Sequence, residues 1–177
     1  MTVSSVFLVP DDISFEDAIA LTQSLLTQMV QASLSESEIE ETIAALVKTQ
    51  NGARGFFVTY LTHEEMLADH PSEGVLKGLK SSPEIISELL VKNLVMSSAM
   101  VIHHTRKNAP EMAEGSQRVR SRSLNLIKSL PLSSINSRIE QMRESLTTKE
   151  GDYQEFLQKW GYDEEQKQAM LKTLELL

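Results

Sequence analysis

Apolar residues recur along this chain at the three- and four-residue spacing of helices that bury one face. Ile19, Leu21, Leu25, Leu26, Met29 and Val30 form the first such stripe, opened by Ser14 with Asp17 as a capping pair. Ser35 with Glu38 opens a second stripe through Ile39, Ile43, Leu46 and Val47, and Asn51-Gly52 reads as its left-handed stop. The connection is very short, which predicts an antiparallel hairpin of the two. Gly55–Leu61 has the composition of a strand, yet no second strand signal exists to pair with it. A lone strand leaves its backbone groups unpaired, so a short buried helix is expected there. Thr62 then caps a helix through Glu64, Glu65, Met66 and Leu67, which His70-Pro71 breaks, and Val75–Leu79 reads as a weaker turn.

The longest apolar stretch follows. Ser82-Pro83-Glu84 places proline at the favoured first helical position, and Leu89 to Ile102 is apolar on nearly every side. A helix of that kind is expected to be wrapped by others. Downstream, Asn108-Ala109-Pro110-Glu111 starts a helix reaching Leu130, with Gly115 and Ser116 weakening its first turns. Leu132, Ile135, Ile139, Met142 and Leu146 mark the next helix. The tail from 151 to 177 reads as a helical hairpin, with Tyr153, Phe156, Leu157 and Trp160 on one face and Gly161 between its arms. The pattern predicts an all-α, single-domain orthogonal bundle of about seven or eight helices over residues 1–177, built around a buried central helix at 84–107. A short extended N-terminal arm is expected at 1–10, ended by Pro10.

Composition narrows the chemistry. The absence of cysteine removes disulfides, thiolate zinc sites, iron–sulfur clusters and a cysteine nucleophile. The apolar run Val6–Val9 is too short for a signal peptide, and Lys92, Asn93, Ser97 and Ser98 interrupt the central helix, so a cytoplasmic protein with no membrane association is expected. The net charge of −8 argues against nucleic acid as a partner. That charge is segregated: residues 1–102 hold five Lys/Arg against fourteen Asp/Glu, whereas residues 103–143 hold eight against three.

Two groups of candidate residues emerge. Asn93, Ser97, Met100 and His104 lie along one line of the central helix, with His103 and Arg106 beside its end. Such a polar stripe either satisfies itself against a neighbouring helix or lines a pocket, and arginine with histidine at the mouth would suit an anionic ligand. Met100 with a histidine on one face admits a tetrapyrrole iron, although methionine at helical spacing is more commonly core filler. Adjacent histidines diverge by about 100° on a helix, so no metal site and no cofactor is expected. The second group, Arg118, Arg120 and Arg122 with the aromatic anchor Trp160, suits contact with an acidic protein surface or a second copy. No aromatic residue lies between Tyr60 and Tyr153, so base stacking is unsupported there. Neither a phosphate loop nor a nucleophile elbow occurs, and no catalytic residues are assigned. A non-enzymatic helical protein-interaction module, with self-association as one form of it, is the first expectation. The alternative is a helical binding protein for a small anionic ligand or tetrapyrrole.

Overall fold

The computed structural model describes residues 7–177, and every regular element among them is helical. In chain order these are α1 (Phe15–Val30), α2 (Glu36–Leu46), α3 (Gln50–Tyr60), a 3₁₀ turn (Met66–Ala68), α4 (Glu73–Lys80), α5 (Pro83–Arg106), α6 (Pro110–Ser129), α7 (Ser133–Thr148), α8 (Gln154–Lys159) and α9 (Glu164–Leu174). The all-α expectation holds, with nine α-helices among the described residues. The expected N-terminal arm falls mostly on residues 1–6, outside those described. The contacts divide the chain into two compact units, Met1–Leu89 and Leu90–Leu177, and the division falls inside α5.

In the first unit, the helices pair as α1 with α3 and α2 with α4, rather than as a hairpin of α1 and α2. Glycines explain the choice of partner. A Cβ on Gly55 would lie 2.5 Å from the Ala18 Cβ, and one on Gly78 would lie 2.8 Å from the Ile43 Cβ. Only bare backbone lets these helices approach so closely. Gly74 does the same against Glu36, whose Oε2 accepts the Gly74 N–H at 2.6 Å. Asn51-Gly52 does not stop α2. Thr49 caps α3 by accepting the Gly52 N–H, and Gly52 is buried against the Leu46 carbonyl.

The Gly55–Leu61 segment forms most of α3, as a buried helix. Phe56 stacks on Tyr60 with ring centroids 5.0 Å apart, an i, i+4 pair that only a helix makes. The Tyr60 hydroxyl donates to the Leu67 carbonyl at 3.1 Å and ties down the following loop. That loop is not the α-helix expected from Thr62. Residues 61–65 turn irregularly and only the short 3₁₀ turn forms.

Helix α5 spans 24 residues. Leu90, Val91, Leu94, Val95 and Ala99 are fully buried, as is Ile86 nearer its start. It ends where Asn108 takes a left-handed φ of 53°, a conformation asparagine tolerates, and the Ala109 N–H returns to the His104 carbonyl at 3.0 Å. In the second unit α5 is fastened to α9: the Ser98 hydroxyl lies 2.9 Å from that of Thr173, and the Gln166 amide donates to the Ala99 carbonyl at 3.3 Å. Ile135, Ile139, Met142 and Leu146 of α7 are all buried, as their stripe predicts.

Candidate functional site

Within the polar stripe of α5, Ser97 is satisfied by the protein itself, and Arg106 is engaged at the end of the helix. Ser97 donates to the Leu94 carbonyl of its own helix at 2.9 Å. Asn93, Met100 and His104 are half-buried and His103 is exposed, its ring edge-on to His104 with centroids 5.3 Å apart. Arg106 binds both Asp163 and Glu165 at the start of α9. Asp163 is the N-cap of that helix: it accepts the Gln166 N–H at 2.9 Å, and the Gln166 side chain accepts the Asp163 N–H at 3.0 Å. The Arg106 hydrogen bond first, and the helix cap second, hold the Asp163 carboxyl below the usual carboxylate range, and the two carboxylates raise the guanidinium in turn. This cation, which an anionic ligand would need, is already neutralised. The end of α5 is therefore a latch onto α9.

The three arginines of α6 do not act as one face. Arg118 is exposed, Arg120 half-buried and Arg122 buried at 2% exposure. At about 100° per residue Arg118 and Arg122 lie within about 40° of each other and Arg120 roughly opposite both. It is the burial of Arg122, not the spacing, that withdraws it from any partner-facing set. Trp160, expected to share the apolar face of α8, is instead 52% exposed with the Lys159 ammonium 5.4 Å from its ring, while Tyr153 and Leu157 take the buried positions. Phe156 packs beside Tyr162, whose phenol is pushed up to about 12 by burial.

A cleft with many apolar wall residues lies elsewhere in the second unit. The end of α6, the Leu130-Pro131-Leu132 connection, the first turns of α7 and Leu176-Leu177 frame a cleft of about 500 Å³. Its walls are Ile127, Leu130, Pro131, Leu132, Ile135, Ile139 and the two tail leucines, with Lys128, Ser133 and Asn136 as the polar members. No acidic side chain lines it. Helix α7 also begins without a side-chain cap and without an acidic residue in its first turn, so the positive end of its dipole adds to Lys128. Leu176 and Leu177 are 57% and 40% exposed. None of the sequence-derived candidates lines this cleft. The signal for it was local: an apolar Leu-Pro-Leu connector where polar turn residues are usual, and a leucine pair at 176–177.

Other chemistry is sparse. Among the described residues no three His, Asp or Glu side chains converge as a metal site would require. One described helix, α5, is long and apolar enough to cross a membrane by length and composition, and 56% of that window is buried within the protein. No curated protein matches the chain significantly, and no solved structure does. A family model does match, from Ser14, the cap of α1, through α9 and into both compact units. On that match, over residues 14–177, the chain belongs to the family described as Uncharacterised conserved protein UCP020893.

Proposed function

We propose that this chain is a non-enzymatic helical protein-interaction module whose docking surface is the apolar cleft between α6 and α7. The observation that carries this reading is the cleft itself, whose lining includes eight apolar side chains, one cationic side chain and no acidic one. Apolar surface gathered in a concavity with a charged rim is the usual anatomy of a docking site. The charge selects the partner. A segment with an apolar face and flanking carboxylates meets Lys128 and the positive end of α7 favourably, whereas a basic segment is repelled. Arg120 lies on the same line of α6 as Ile127, seven residues on, and extends this positive character away from the cleft. The small-ligand reading is weaker, because Arg106 is committed to Asp163 and Glu165.

Fluorescence anisotropy tests the reading with two short labelled helical peptides. Both carry the same leucine face, one with glutamates opposite and one with lysines. The glutamate peptide is expected to bind the full chain and the lysine peptide not to, with Lys128→Glu reversing the order. Equal binding of both peptides, or of neither, contradicts the reading.

A further inference from the structure

The first compact unit displays a feature that matches the cleft of the second. Met66 is 62% exposed at the start of the 3₁₀ turn, while Ala68, two residues on, is fully buried. The turn is held from both sides. The Asp69 and His70 N–H groups return to the Met66 carbonyl at 3.1 and 3.2 Å, and the Tyr60 hydroxyl grips the Leu67 carbonyl. The backbone that carries Met66 is thus fixed, which removes part of the entropic cost of presenting it, while the side chain itself stays adaptable. Exposed Glu64 stands two residues before Met66 in the chain, so the apolar tip has a carboxylate beside it in sequence. The cleft has the opposite character, apolar inside with Lys128 and the α7 dipole at its edge.

We infer that the partner of the cleft is a second copy of this chain, which inserts its Met66 turn between α6 and α7. This rests on the cleft being a docking site and adds the identity of its occupant. Methionine suits the role, since its flexible thioether adapts to an irregular apolar surface. One turn entering one cleft buries little area, which places the contact among small, transient interfaces.

Sedimentation of the full chain over a micromolar-to-millimolar range provides the test. The wild type is expected to self-associate, and Met66→Asp and Leu176→Asp each to remain monomeric. Both positions are exposed, so helicity should be unchanged by circular dichroism. The decisive sample is an equimolar mixture of the two variants. Met66→Asp keeps an intact cleft and Leu176→Asp an intact Met66 turn, so mixing should restore one contact and give a mixed dimer. A wild type that stays monomeric throughout overturns the second-copy assignment, yet leaves peptide binding at the cleft standing as a separate result. Self-association that survives Met66→Asp, or variants that fail to complement, also overturns it.

Discussion

The same substitution, glycine to alanine, should have opposite effects at two positions of this protein. In an unobstructed helix interior the change stabilises by ~1 kcal/mol, because alanine loses less backbone entropy on folding. Gly115 in α6 is such a site, with no atom within 4 Å of the added Cβ. Gly78 in α4 is not. Its Cβ would meet the Ile43 Cβ at 2.8 Å, the Ile43 Cγ2 at 2.9 Å and the Glu40 carbonyl oxygen at 3.0 Å. One of these atoms is backbone and the others belong to a branched side chain stiff at χ1, so none can swing away. Helix α4 must lift from α2, and overpacking of this kind costs ~1–3 kcal/mol. That exceeds the propensity gain over most of its range, leaving a net loss of up to about 2 kcal/mol. Urea unfolding followed by far-UV circular dichroism reads both variants. With a slope of ~1–3 kcal/mol per molar urea, a change of 1 kcal/mol moves the midpoint by roughly 0.3–1 M. Gly115→Ala should move it upward and Gly78→Ala downward. A Gly78→Ala midpoint raised as much as that of Gly115→Ala would refute the close packing of α2 on α4.

Two further predictions concern titrating groups. The folded Asp163 carboxyl lies below its unfolded value, so the stability it contributes is full above about pH 4 and is lost as pH falls through the folded value. Asp163→Asn retains the helix cap but loses the pairing with Arg106, so wild type and variant should differ in thermal midpoint near neutrality and converge in acid; a constant difference would contradict the latch. The Tyr162 phenol, raised to about 12 by burial, should ionise late in an ultraviolet titration, visible as the wild-type minus Tyr162→Phe difference, and stability should decline between about pH 10 and that value. A difference signal centred near pH 10 would mean that the ring is solvated.

Much of the helical layout was legible because it depends on local rules. Ser35 with Glu38, and Asp163 with Gln166, are full capping boxes in the structure, and Pro110 stands at the first position of α6. The α7 stripe buries Ile135, Ile139, Met142 and Leu146 as its spacing selected, while Leu132 stands half-buried at the N-cap. What could not be read depends on non-local contact. Gly52, Gly55, Gly74 and Gly78 resemble turn or breaker residues, and only the neighbouring helix shows that they are sites of close approach. Arg106 resembled a ligand-binding cation because its partners stand 57 and 59 residues away in sequence. Periodicity places Arg118, Arg120 and Arg122 around α6 without saying which is turned inward. The cleft was missed for a related reason: Leu130 and Leu132 acquire meaning only when Leu176 and Leu177 are brought beside them.

Backbone amide NMR of the full chain, titrated with the glutamate-faced leucine peptide, tests the docking proposal most directly. Shift changes confined to Ile127–Ile139 and Leu176-Leu177, and abolished by Lys128→Glu, are the predicted result. Changes centred instead on His103, His104 and Arg106 at the end of α5, or no changes at all, would contradict it.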